Sequence, residues 1–288
     1  MSLDILLVGR DGQLAQALQR HLAGLGQVHV LGRGQLDLAH PGKIREQVRR
    51  ARPGLVINAA AYTAVDLAES EPDAAFAVNA TAPRILAEEA ARLGAPLIHY
   101  STDYVFDGAK DGPYTEADEP DPLSVYGRSK LEGEQAIAAV GGEHLVLRTS
   151  WVYSRQGRNF LLTMQRLLQE KPQLRVVDDQ VGAPTWADTI ASSTRALIER
   201  WQAGHRGAWG LYHLTASGHT SWFGFAQAIA RHLEASGRPC AELLPIPTSQ
   251  YPTPARRPLN SRLDCARLAL EWQVSQPNWR QALIECLK

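Results

Sequence analysis

Apolar and polar positions fall in alternating blocks along the first half of the chain. Asp4-Ile5-Leu6-Leu7-Val8 is a short, almost continuously apolar run, the pattern of a strand buried on both faces. A glycine turn follows, then a helical segment from about Gln13 to Leu22. The rhythm repeats: strand at Val28–Leu31, helix at Ile44–Arg52, strand at Leu55–Asn58, long Ala-rich helix at Ala74–Leu93, strand at Pro96–Ser101, mostly helix over Leu123–Val140, strand at Leu145–Arg148. Strict alternation of this kind predicts an α/β fold, a Rossmann-like doubly wound parallel sheet with helices on both faces. After about Trp151 the rhythm loosens. Helices are expected at Phe160–Glu170, Thr189–Trp201 and Trp222–Ala235, with strands at Arg175–Val177 and Leu211–Leu214. Prolines 245, 247, 252, 254 and 258 predict an extended loop. We therefore expect a dinucleotide-binding domain over 1–150 and a smaller α/β substrate-binding domain over 151–288, with some of its segments returning to the first sheet.

Composition narrows the function classes. The 288 residues are 44% apolar, enough for a sizeable core. Thirty Lys plus Arg balance thirty Asp plus Glu, which excludes a general nucleic-acid binder but leaves room for a local basic pocket. No stretch approaches the ~20 apolar residues of a membrane helix. The N-terminus lacks the basic segment and long apolar core of a signal peptide. Three widely spaced cysteines, an odd count, fit idle thiols in a reducing cytoplasm. The nine histidines show no metal-ligand spacing, so no metal is expected.

The first strand runs into Gly9-Arg10-Asp11-Gly12-Gln13-Leu14-Ala15. Glycines there permit a tight turn and close backbone approach to a pyrophosphate, and the helix N-terminus supplies free N–H donors. Ala15 is small enough for helix–strand packing. Alone the pattern is weak, since many strand–helix turns carry glycines only for geometry, but it favours a cofactor over a bare structural turn. NAD-specific enzymes place a carboxylate at the end of the second strand, but Gly32-Arg33 stands here and the first acid is Asp37. A guanidinium favours a 2′-phosphate, so NADPH is expected, with NADH tolerated. Asp37-Leu38 would frame the adenine.

Tyr126 and Lys130 lie four apart in a helical segment and so share one face, which suits an acid/base pair. A free phenol has a pKa of ~10, and a nearby ammonium lowers it. As an isolated spacing this is more often a plain surface pair. It is not isolated: Ser101-Thr102-Asp103 closes the preceding strand, where ligands of open parallel sheets bind, and a Thr hydroxyl can donate to a developing alkoxide. Asn58-Ala59-Ala60-Ala61-Tyr62-Thr63 ends the third strand, its small residues letting a cofactor lie against the backbone. Asn79 either anchors that layer or is an ordinary helix amide.

These residues, in the runs from Gly9 to Leu14, Asn58 to Asp66, His99 to Gly108, Tyr126 to Lys130 and Leu147 to Tyr153, resemble the extended short-chain dehydrogenase/reductases. Within them the pattern is similar to the dTDP-4-dehydrorhamnose reductase family, and Asp179–Thr185 and Tyr251–Asp264 carry the likeness through nearly the whole chain. The resemblance implies reduction of the C4 ketone of dTDP-6-deoxy-L-lyxo-4-hexulose to dTDP-L-rhamnose, a precursor of cell-envelope polysaccharide. It implies Tyr126 as proton donor, Lys130 as its tuning and cofactor-binding partner, and Thr102 at the carbonyl oxygen. Gly9, Gly12, Gln13, Leu14, Arg33, Asp37, Leu38, Ala60, Ala61, Tyr62, Thr63, Tyr126 and Lys130 would meet the cofactor. Thr102, Asp103 and Trp151 would meet the sugar. Trp151 also makes physical sense as a flat face for a deoxysugar, or as interdomain core. Arg256 and Arg257 offer charge for a diphosphate or sit on a solvated surface. Family members are often dimers, some bridged by metal. The first helix here carries no acid in its opening turns, so a homodimer is allowed but Mg2+ is not supported. Two other readings stay open. One is a sugar-nucleotide epimerase or dehydratase: dehydration is disfavoured because Asp103 is followed by Tyr104 instead of a second acid, and net NADPH consumption would separate a reductase from an epimerase. A non-catalytic NADP-binding regulatory subunit is disfavoured because Thr102, Tyr126 and Lys130 are all retained.

Overall fold

The computed structural model describes residues 3–205 and 207–288. Six parallel strands form the central sheet: β1 (Leu3–Val8), β2 (Gly26–Leu31), β3 (Leu55–Asn58), β4 (Leu97–Thr102), β5 (His144–Thr149) and β6 (Gly210–His213), in the order β6-β5-β4-β3-β1-β2. The longer helices are α1 (Gln13–His21), α2 (Pro41–Ala51), α3 (Ala82–Leu93), α4 (Val125–Val140), α5 (Phe160–Glu170), α6 (Ala187–Gln202), α7 (Trp222–Ala235) and α8 (Trp279–Leu287).

Alternate residues of each strand feed opposite layers. Ile5 and Leu7 of β1 pack with Leu18 of α1 and Ile190 and Ile198 of α6, whereas Leu6 and Val8 pack with Ile44 and Val48 of α2, Ile85 of α3 and Ile137 of α4. A separate core joins Leu161 and Met164 of α5 to Phe225 and Ile229 of α7 and Trp279 of α8.

Three points set the structure beside the sequence pattern. Leu211–Leu214 is among the later segments that return to the first sheet, where β6 pairs with Leu145–Arg148 of β5 as the edge strand. That pairing joins segments far apart in sequence, which local periodicity does not reveal. The Pro-rich stretch is not wholly loop: Glu242–Ile246 pairs in parallel with Gln173–Val177. The long helix at Ala74–Leu93 is broken into a short helix at Pro72–Phe76, a π turn at Ala77–Thr81, and α3. Pro83 lacks the N–H that would bond the carbonyl of Asn79, so the regular ladder cannot run through. That carbonyl lies against Gly133 of α4, where an added Cβ would come within 2.0 Å of it.

Between β1 and β3 the sheet grows in opposite directions. Their C-terminal loops diverge there and leave a crevice, the place where open parallel sheets bind ligands.

Candidate active site

The glycine turn sits at this crevice. Gly9 has φ +108°, and an added Cβ would press within 3.2 Å of the backbone at Ala59 and Ala60, so the ends of β1 and β3 touch through it. Gly12 differs: its φ is an ordinary −69°, and a Cβ added there would meet nothing in the protein within 4 Å. The fold itself does not demand glycine at 12, but close approach of a ligand would. Gly12 caps α1 with no side-chain bond, and the first turn carries no acid, leaving backbone N–H groups for an anion. Gln13 and Leu14 open α1. The Gln13 side chain accepts from Asn159 at 2.8 Å, tying the turn to the entry of α5.

Tyr62 is held by both its backbone groups: its N–H donates to the Asn79 side chain at 2.9 Å and its carbonyl accepts from Asn79 at 3.0 Å. Asn79 also donates to Ser129 of α4 at 3.0 Å. Of its two readings, the anchor is the one the side chain makes. The loop Ala60-Ala61-Tyr62-Thr63 is thereby fixed between the crevice and α4.

At the end of β2 the residues are looser. Arg33 is exposed. Arg10 lies against Gly32 and bonds Gln35, whose side chain accepts from the Gly32 N–H at 3.0 Å. Asp37 accepts from the Ala39 N–H at 3.0 Å, and that bond holds its carboxyl below the ordinary value. The Leu38 side chain is buried in the layer under α2, so only its backbone can reach a ligand.

The other corner is compact. Thr102 ends β4; its hydroxyl donates to Asp103 at 3.2 Å and accepts from the Tyr104 N–H at 3.2 Å. Tyr126 stands in the first turn of α4, edge-on to Tyr104 with ring centroids 5.5 Å apart. Ser124 caps this helix through the Gly127 N–H at 3.1 Å. A Cβ at Gly127 would meet the Tyr104 carbonyl at 2.2 Å, so glycine is what lets α4 settle onto this turn. Burial pushes the Tyr126 hydroxyl up to about 12, with the neighbouring Thr102 hydroxyl pulling the other way. The expected lowering by Lys130 is therefore not seen, and the reason is where the amine points. Lys130 is buried, and its Nζ donates to the Tyr100 carbonyl at 2.7 Å and lies 3.1 Å from His99 Nε2. Burial pulls it down to about 8. Asp103 is buried with Oδ2 unpartnered, and burial pushes it up to about 6, with the neighbouring Ser261 and Thr102 hydroxyls pulling the other way.

Trp151 leaves β5 with φ +49°, a strained value for a non-glycine residue. Its ring stacks on Trp222 of α7 at 3.6 Å, and Gly182 packs against its edge. Arg257 is bonded to Asp66 at 2.9 Å, tying the Pro-rich segment to the loop after β3, so its charge is already engaged. Arg256 is exposed. Among the described residues, no group of three or more His, Cys, Asp or Glu could hold a metal ion, and no helix is long and apolar enough to cross a membrane.

Sequence reasoning missed His99, Arg10, Ser261 and Trp222. His99 carried a signal, as a polar residue inside the apolar run Leu97-Ile98-His99-Tyr100. The others did not, because each reaches the site from a distant part of the chain or from within the glycine turn.

The structure thus combines a parallel sheet wound about a switch point, a glycine turn at that point, and Thr102, Tyr126 and Lys130 gathered near the end of β4. The fold is shared with UDP-glucose 4-epimerase of Thermus thermophilus in complex with NAD (TM-score 0.76, 19% identity, covering 98% of this chain and 97% of that one). The family described as RmlD substrate binding domain matches residues 3–288, and the chain belongs to it. The dTDP-4-dehydrorhamnose reductase of Burkholderia thailandensis is 47% identical over 291 residues, covering 99% of this chain and 98% of that protein. The crystal structure of dTDP-4-dehydrorhamnose reductase from Bacillus anthracis str. Ames, in complex with NADP, has a TM-score of 0.90 at 33% identity, covering 100% of this chain and 99% of that one.

Proposed function

We propose that this protein is an NADPH-dependent oxidoreductase that reduces the C4 ketone of dTDP-6-deoxy-L-lyxo-4-hexulose to give dTDP-L-rhamnose. The observation that carries the reading is the grouping of Thr102, at the C-terminal end of β4, with Tyr126 in the first turn of α4 and Lys130 one helical turn along. NADPH, when bound, supplies the hydride.

The chain's own residues do the rest. Gly12 and the open N–H groups of α1 would receive the pyrophosphate, and Gly9, packed on the backbone of Ala59 and Ala60, puts no side chain in its way. Asn79 fixes the backbone of Tyr62 and Thr63. Arg33, with Arg10 beside Gly32, offers positive charge to a 2′-phosphate. Tyr126 holds its proton at neutral pH, since burial keeps the hydroxyl high, and so serves as an acid that yields the proton only when charge develops on the substrate oxygen. Thr102 donates to the same oxygen. The unpartnered Oδ2 of Asp103 accepts a sugar hydroxyl, and Trp151 with Trp222 flanks the deoxysugar.

Three free cysteines fit a cytoplasmic enzyme. A homodimer accords with exposed Ile284 on α8. The function is tested by generating the hexulose from dTDP-glucose with the upstream enzymes and following loss of the reduced nicotinamide absorbance with each cofactor. Net consumption of one NADPH per sugar is expected, whereas catalytic cofactor with no net loss would mean an epimerase and a flat trace a non-catalytic protein.

A further inference from the structure

Lys130 is held by two side chains that the reaction itself does not use. Asn58, at the end of β3, lies with Nδ2 3.0 Å from His99 Nδ1, and His99 Nε2 lies 3.1 Å from Lys130 Nζ. All three residues are buried. The orientation of the Asn58 amide is set by its other end: Oδ1 accepts the Ala60 N–H at 3.2 Å. Nδ2 is therefore the atom facing His99, and it donates. The imidazole nitrogen that accepts from it carries no proton, so a neutral His99 bears its proton on Nε2. That N–H points at Lys130. An ammonium has no lone pair to receive it, while an amine does, and the amine still has a hydrogen for the Tyr100 carbonyl 2.7 Å away.

We infer that Asn58 and His99 are positioning residues for Lys130: they keep its side chain turned away from Tyr126 and fix a hydrogen-bond polarity that favours the amine over the ammonium. The inference rests on the reductase reading above, because it concerns how readily Lys130 carries its charge in that reaction. Asn58 is not an acid, so the chain ends there and His99 passes no proton onward. To become charged, Lys130 must leave Nε2, or His99 must change tautomer and the Asn58 amide must turn over. The groups facing Lys130 are few. His99 and the Tyr100 carbonyl face it from β4, and Tyr126 and Glu134 lie one turn before and after it on α4. Glu134 is paired with Arg148 of β5 at 2.6 Å. Asp103 faces Tyr126 from the turn after β4.

Two measurements test this. The first is the pH profile of kcat, taken with His99→Leu and His99→Gln. Activity is expected to fall as pH rises and Lys130 loses its proton. Removing the Nε2 donor leaves the amine unsupported, so His99→Leu should move that limb upward by about half to one pH unit, with KM for NADPH little changed. His99→Gln, whose amide can again donate to Nζ, should move it back. An unmoved limb in a folded His99→Leu would overturn the inference. The second is the 15N spectrum of histidine-labelled wild-type protein, with the His99 signals assigned by their loss in His99→Gln. It should show a bare Nδ1 and a protonated Nε2, and the opposite tautomer would contradict the inference. This spectrum decides the matter if His99→Leu fails to fold, or if the wild-type protein does not turn over the sugar. In the second case it is the proposed function that fails.

Discussion

The two ends of the crevice are built differently. At the end of β4, Thr102, Asp103, Tyr126 and Lys130 are interlocked by side-chain and backbone bonds, and most are buried. At the end of β2, Arg33 is exposed, and Asp37 bonds only its own turn. On the proposed function, the contrast follows from what each end would do. Proton transfer requires reacting atoms within hydrogen-bond reach, so its groups are fixed before substrate arrives. Telling a 2′-phosphate from a hydroxyl requires only charge in the right place, which a solvated guanidinium supplies.

Substitutions at the two ends should therefore differ in size. Tyr126→Phe removes the acid and should cost on the order of 10²–10⁴-fold in kcat while cofactor still quenches the protein's fluorescence. A variant retaining wild-type turnover would remove Tyr126 from the role. Asp103 should give a smaller, pH-dependent effect. Burial raises its carboxyl to about 6, so it is ionised above that pH and takes a proton as pH falls through it. If its carboxylate accepts a sugar hydroxyl, KM for the sugar should rise below about pH 6, and Asp103→Asn should flatten that dependence. The same raised value means that folding favours the protonated form, so Asp103's contribution to stability is fully present below its unfolded value of 3.8 and is lost as pH rises through about 6. Arg33→Ala should have the smallest effect: about a tenfold loss in kcat/KM with NADPH and almost none with NADH. An equal loss with both cofactors would mean that Arg33 supports the fold instead of reading the phosphate.

The same contrast governs what was legible in the sequence. Strands buried on both faces announce themselves as apolar runs, and β1 and β3–β5 lie within a residue or two of their expected limits. The glycine turn and the Tyr126–Lys130 spacing are local and were readable too. What local pattern could not show is contact at long range. The pairing of β6 with β5, the stacking of Trp222 on Trp151, and the capture of Arg257 by Asp66 all depend on how distant segments pack. The break in the Ala74–Leu93 helix carried its own marker, Pro83, but proline in a first turn is common. Only the packing of Asn79 against Tyr62 and Ser129 gives the break a purpose.

The central claim is that hydride reaches the sugar from outside and stays there. The most direct measurement uses NADPH carrying deuterium at the transferable position of the nicotinamide, with the dTDP-4-keto sugar as acceptor. The deuterium should appear at C4 of the product sugar, one per NADPH oxidised. Product formed without label at C4, or label returned to the cofactor, would contradict it.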